Sequence, residues 1–239
     1  MAEFTMAVAG FSVAVQSLFD STKDYCRDFL THLPPQYSVA VKPQDLSAEQ
    51  RYLDEEADRE GLRRRVFGQP FLERNFLQRH IARLLLPQEV LLLHGSAVAL
   101  DGKGYLFTAP CGTGKSTHAR LWREVLGAVA VNDDKPFLRL TENGVLLCGS
   151  PWMGKHGLGQ NITAPLQGIC LLRRGSENRI EALSPHQAVP LLLPLCAQPE
   201  DAPLLSAIAN RVGLWRLQCT ISPEAARTAH EAMSQEVSL

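Results

Sequence analysis

Nine residues, Ala109-Pro-Cys-Gly-Thr-Gly-Lys-Ser-Thr117, carry the most specific chemistry in this chain. They fit the phosphate-loop pattern G-x-x-x-x-G-K-[ST], with Ala in the first glycine position. Gly112 and Gly114 let the backbone curl so that successive N–H groups converge on phosphate oxygens as an anion nest. The positive end of a helix starting at Lys115 adds to that nest. Cys111, Gly112, Thr113, Gly114, Lys115, Ser116 and Thr117 are therefore the expected nucleotide-binding residues. Lys115 reaches the β and γ phosphates, and the Ser116 hydroxyl ligates Mg²⁺. Cys111 is read as filling a small-residue position.

A second group follows about sixteen residues later, Ala130-Val-Asn-Asp-Asp-Lys-Pro136. An apolar strand that delivers two adjacent carboxylates suits phosphoryl transfer. One of Asp133 and Asp134 holds Mg²⁺, directly or through water, and the other takes the proton of an attacking hydroxyl. The spacing does not say which is the base. Strict alternation would send the two side chains to opposite faces, so a bulge or a strand end is expected there. His94 opens a strand that folds back at Asp101-Gly102, which brings it level with Ala109 to Cys111. A histidine there can polarise a γ phosphate or tune the base. Lys155, in the glycine-bounded segment Gly149 to Gly157, is a candidate for stabilising the transferring charge. Arg173, Arg174 and Arg211 read as salt-bridged surface.

The elements that position these groups are legible in outline. Strands are expected over Val90 to Leu100, Gly104 to Pro110, Ala128 to Val131, Phe137 to Leu140, Val145 to Cys148 and Ile169 to Leu172. Asn143-Gly144 marks a second hairpin. A helix runs from Lys115 to Leu126 and is closed by Gly127; others start at Pro185 and at Pro223, behind Ser184 and Ser222. Hairpins on both sides of the phosphate loop require a mixed or largely antiparallel sheet, whereas most phosphate-loop folds have a parallel one. No guanine-reading N-K-x-D is present.

Upstream, Met6 to Phe19 reads as an alternating strand, with no basic residue before it to make a signal peptide. Tyr37 to Val41 alternates as well. Residues 45 to 87 are charge-rich and helical in pattern, with Asp45 or Ser47 as N-cap and Leu72, Phe76, Leu77, Ile81, Leu84 and Leu85 on one face. Arg63-Arg64-Arg65 is read as a solvated helix face. The expected division is a small α+β region over 1–87 and a phosphate-loop kinase core over 88–239.

With 24 basic and 25 acidic side chains, the chain lacks the charge of a nucleic-acid binder. No apolar run is long enough to span a bilayer. Six scattered cysteines without a C-x-x-C pair argue against a zinc ribbon or a redox motif. A cytoplasmic protein with free thiols is expected.

Four segments in one order, Leu93-His-Gly-Ser-Ala-Val98, the phosphate loop, Asn132-Asp-Asp-Lys-Pro136 and Pro151-Trp-x-Gly-Lys155, resemble the HPr kinase/phosphorylase family. That family shares its nucleotide-binding core with phosphoenolpyruvate carboxykinase. The similarity is greater to the short bacterial HPr-kinase-like proteins that often bear the carboxykinase label. It runs from Leu93 to about Leu172, and more weakly through Arg216 to Cys219 and Glu224 to Ala226 as far as Met233.

The resemblance implies a mixed-sheet α/β phosphate-loop core. It implies nucleotide binding at Lys115 and Ser116, metal and base roles for Asp133 and Asp134, and a His94 at the γ phosphate. The implied activity is an ATP- and Mg²⁺-dependent kinase acting on a hydroxyl acceptor, such as serine in a protein, a peptide or the free amino acid. ADP and pyrophosphate are alternative donors. A carboxykinase-like lyase and a non-catalytic nucleotide-binding regulator are the alternatives. Phosphoryl-transfer relatives often assemble, so a homo-oligomer is a further expectation. No counterpart of the family's C-terminal substrate-engaging signature is present, and residues 1 to 87 differ from its usual N-terminal domain.

Overall fold

The computed structural model describes residues 1–59 and 61–235. Residues 236–239 of the expected core lie outside that range. The chain divides into two compact units, 1–84 and 85–239.

In the first unit the apolar N-terminal run is two strands rather than one. β1 (Ala2–Val8) and β2 (Phe11–Ser17) pair antiparallel, with Val8 opposite Phe11. Ala9 and Gly10 turn the chain with positive φ of 50° and 82°, the geometry of a tight primed turn. Ala9 is apolar, so the hydrophobic pattern runs unbroken through the turn and conceals it. After a short helix α1 (Asp20–Tyr25), β3 (Tyr37–Ala40) joins β2 in parallel.

Two helices follow, α2 (Pro43–Arg59) and α3 (Gln69–Leu85). Pro43 starts α2, so Ser47 lies inside it rather than capping it. Asp45 accepts the Lys42 amide at 2.8 Å. Gly61, at φ 66°, lies two residues past α2, so Arg63 to Arg65 sit in a non-helical connection, with Arg64 paired to Asp58. On α3, Leu72, Leu77, Ile81 and Leu85 are buried, as a 3.6-residue period requires.

The second unit is built on a nine-stranded mixed sheet. The expected strand over 90–100 is broken into β4 (Val90–Leu92) and β5 (Ser96–Leu100). β6 (Lys103–Thr108) follows β5 through the Asp101-Gly102 turn, and α4 (Lys115–Leu126) follows the phosphate loop. Next come β7 (Val129–Asn132), β8 (Phe137–Thr141), β9 (Gly144–Cys148) and the long β10 (Thr163–Arg174). β11 (Arg179–Ala182), α5 (Pro185–Leu192), α6 (Ala202–Ala209), β12 (Gly213–Cys219) and α7 (Pro223–Met233) complete the unit. The order is β4-β8-β9-β10-β6-β5-β7, with β12 beside β10 and β11 beside β12.

The pairing decides where the chemistry collects. β10 is parallel to β6 and to β12, while β5 is antiparallel to both β6 and β7. The carboxyl ends of β6, β7, β10 and β12 therefore share one edge with the amino end of β5. One sheet face packs Tyr105, Phe107, Leu172 and Leu217 against Trp122 of α4 and Ala226 and Ala229 of α7. The other packs Leu106, Leu171 and Leu214 against Leu192 of α5 and Leu205 and Ile208 of α6. Two buried apolar layers hold the edge rigid from both sides.

Candidate functional site

The phosphate loop leaves β6 at that edge. Gly112 and Gly114 adopt φ of 77° and 121°, conformations that a side chain would strain. An anion nest turns its amides inward, so its carbonyls must find partners elsewhere. Two cations provide them. Lys115 Nζ donates to Ala109 O at 2.8 Å and to Pro110 O at 3.4 Å. From the end of β10, the Arg174 guanidinium donates through Nη2 to Gly112 O and through Nε to Thr113 O at 3.3 Å. Burial lowers the Lys115 pKa, partly countered by the charges of Cys111 and Asp134.

The expected salt-bridged surface does not hold for Arg174, whose partners are the main-chain carbonyls of the phosphate loop. Among the described residues, Arg173, Arg174 and Arg211 form no ion pair with a carboxylate. Only the parallel register that sets Leu171 beside Thr108 reveals that β10 ends against the loop.

The break between β4 and β5 places His94. Gly95 donates its amide to Asp134 O at 2.9 Å, and Thr108 Oγ1 donates to His94 O at 2.6 Å. A Cβ on Gly95 would stand 2.8 Å from Leu106 Cδ1 and 2.9 Å from Phe107 O, so the chain passes there only without a side chain. His94 Nε2 lies 3.1 Å from Asp134 Oδ1. The bond to Asp134 raises the histidine pKa, but burial and the charges of Lys135 and Lys115 outweigh it and leave it lowered. Burial raises the Asp134 pKa, yet His94, Lys135 and Lys115 more than reverse that and hold it below the usual value. At neutral pH the pair is a neutral imidazole donating to an ionised carboxylate.

The two aspartates lie just past β7, as strand-end geometry requires. Asn132 arranges them. Its Oδ1 accepts the amides of Asp134 at 2.8 Å and Lys135 at 2.6 Å, an Asx turn that bends the chain out of the strand. Its Nδ2 donates to Ser150 O at 2.9 Å. Asn132 is a positioning residue that the sequence motif contained without revealing its role.

The two carboxylates have different surroundings. Asp133 Oδ1 accepts the Gly154 amide at 2.7 Å, and its Oδ2 accepts the His156 amide at 3.2 Å. Asp133 thus anchors the loop that carries Lys155, whose side chain is exposed. Ser96 Oγ donates to Asp133 O at 3.0 Å and lies 3.5 Å from Ser116 Oγ. The Ser116 hydroxyl is thereby linked through one serine to the aspartate segment. Thr117 and Arg174 line a cavity of about 590 Å³, within the range of small-ligand sites. That cavity lies between the phosphate loop, the apolar Leu121, Leu172 and Ile221, and the Thr220 hydroxyl. His118 borders it, buried and neutral, its pKa pushed down to about 4 by burial.

Mg²⁺ takes few protein ligands, completing its shell with phosphate oxygens and water. Among the described residues no three His, Cys, Asp or Glu side chains converge as a metal cage. One hydroxyl (Ser116) and one carboxylate at this edge are a donor set that fits Mg²⁺.

No protein-family model matches this chain, and no curated protein matches it. Among solved structures, the HPr(Ser) kinase/phosphatase from Coxiella burnetii aligns with 60% of this chain and 92% of its own, at 13% identity and a TM-score of 0.35. Among the described residues no helix is long and apolar enough to cross a membrane.

Proposed function

We propose that this chain is a phosphotransferase that moves the γ phosphoryl group of ATP to a hydroxyl acceptor, with Mg²⁺. The observation that carries the reading is the meeting of an anion nest, the Ser116 hydroxyl and the His94–Asp134 pair at one sheet edge. The cavity beside the loop favours a nucleoside-bearing donor over pyrophosphate. It offers apolar side chains to a base and threonine hydroxyls to a sugar.

In this reading the loop amides and Lys115 bind and orient the phosphates. Ser116 and Asp133 would hold Mg²⁺, which would supply neutralisation of phosphate charge when bound. Asp134 is the base, because both Asp133 oxygens already accept loop amides while the Asp134 carboxylate meets the His94 ring, with Lys135 and Lys115 nearby. It receives the acceptor's hydroxyl proton as the acceptor oxygen attacks the γ phosphorus and the bond to the β-phosphate oxygen breaks, releasing ADP. His94 orients that carboxylate. Lys155, carried by the loop that Asp133 anchors, adds positive charge over the transferring group.

The test is incubation of purified protein with Mg²⁺ and γ-labelled ATP against serine, serine peptides and HPr, with ADP and pyrophosphate as alternative donors. Label transfer that vanishes in Asp134→Asn while ATP still binds supports the reading. Undiminished turnover in that variant would refute the assignment. Release of carbon dioxide from oxaloacetate would establish the lyase alternative instead.

A further inference from the structure

A group of arginines beyond the phosphate loop has no part in the chemistry above. Arg173 is the penultimate residue of β10, and Arg216 and Gln218 lie on β12, with Arg179 and Glu181 on β11. The register sets Arg173 and Arg179 on either side of Gln218, and Glu181 opposite Arg216. These five side chains surround a hollow of about 150 Å³. They lie on the sheet face away from α4 and α7, since Leu172 and Leu217, the alternate residues, pack toward those helices.

The charge there is unbalanced. Glu181 is the one carboxylate, and it is taken by Arg216, whose Nε donates to Oε1 at 2.6 Å. Arg173 and Arg179 make no ion pair among the described residues. Three guanidinium groups against one carboxylate leave two positive charges on a chain whose net charge is −1. Guanidinium forks at this spacing match carboxylates with paired, charge-assisted hydrogen bonds.

We propose that Arg173, Arg179 and Arg216 form a docking surface for an acidic segment of a peptide acceptor. The inference rests on the phosphotransferase reading for the word acceptor, and on the arginines alone for the acidic segment. Distance selects a peptide over a free amino acid. β10 is three strand spacings from β7, just past which Asp134 lies, β12 is four and β11 five. At about 4.8 Å per spacing the arginines stand roughly 14 to 24 Å from the base. An extended peptide covers that in about four to seven residues at about 3.3 Å each. A free amino acid cannot touch both places. The acceptor therefore carries Glu or Asp about four to seven residues from its hydroxyl.

Two fluorescein-labelled peptides test this, Ser-Ala-Ala-Ala-Ala-Glu-Glu-Glu and its Gln-Gln-Gln counterpart, with binding followed by anisotropy. The parent protein should bind the Glu peptide at least ten-fold more tightly. Arg173→Ala/Arg179→Ala should remove that preference, with Tm unchanged, and Arg173→Glu/Arg179→Glu should reverse it toward a Lys-Lys-Lys peptide. Equal binding of the Glu and Gln peptides by the parent would overturn the proposal. So would a Glu preference that survives in the alanine variant. Peptide binding as expected without label transfer would leave the docking surface standing and refute the phosphotransferase reading. Label transfer without a Glu preference would do the opposite.

Discussion

His94 Nε2 and Asp134 Oδ1 stand 3.1 Å apart although forty residues separate them in the chain. Neither lies in a strand. The contact arises where the link between β4 and β5 crosses the segment after β7, fastened by the Gly95 amide on Asp134 O. A carboxylate in that position is held in one orientation, next to Lys115 and Lys135, and stays ionised through neutral pH.

Asp134→Asn and Asp133→Asn should therefore differ. The first should lower kcat by about 10²- to 10⁴-fold, the usual contribution of a general base, with ADP affinity and Tm near those of the parent. The second also disturbs the acceptor of two loop amides, and should lower stability by about 1–3 kcal/mol, and with it Tm, along with activity. Titration calorimetry with ADP and thermal melts separate the two. Equal Tm losses in both variants would contradict the division of roles.

Arg174→Ala frees the carbonyls of Gly112 and Thr113. ADP affinity should fall by about 10- to 100-fold, or about 1.4–2.7 kcal/mol, as expected for charge-assisted bonds that preorganise a site. Hydrogen exchange of the amides from Cys111 to Gly114 should accelerate without any ligand. Arg174→Lys should recover only part, because an ammonium group does not reproduce the planar fork. Unchanged ADP affinity in Arg174→Ala would contradict the role given to this residue.

A methyl group on Gly154 would sit 3.1 Å from Asp133 Oδ2 and 3.3 Å from Asp134 Cβ. Gly154→Ala should push both aspartates by a few tenths of an ångström. The stability change should be small, under about 1.5 kcal/mol, but kcat should drop by about 10-fold or more, since misplacement of reacting groups is heavily penalised. Steady-state kinetics beside a melting curve would check this.

His118 gives the protein a pH dependence of its own. Its Nε2 accepts the Trp122 indole N–H at 3.0 Å and burial pushes its pKa down to about 4. The unfolded chain binds this proton near pH 6.5, so stability tied to the neutral ring is complete above that pH. It is lost as pH falls from 6.5 toward 4, by on the order of 3 kcal/mol. His118→Gln keeps an acceptor for Trp122 and has nothing to titrate. Denaturant melts between pH 7 and 4 should show a shallower decline in that variant; parallel curves would disprove the assignment.

Local pattern determined much of this protein. The two glycines of the phosphate loop, the helix from Lys115 to Gly127 and the hairpins at Asp101-Gly102 and Asn143-Gly144 follow from backbone preferences that act over a few residues. The mixed sheet follows from the hairpins. Tertiary structure decided what depends on strands distant in sequence. A continuing apolar pattern hid the turn at Ala9, and apolar residues on both sides of His94-Gly-Ser96 hid the break there, since hydrophobic periodicity reports burial and not strand partner. Two adjacent aspartates read alike until Asn132 bent the chain and gave one to a loop and the other to a histidine. Arg174 read as surface because its partners are main-chain carbonyls sixty residues away, which no side-chain pattern records. Motifs name the groups that do chemistry, and parallel register decides which cation stands behind them.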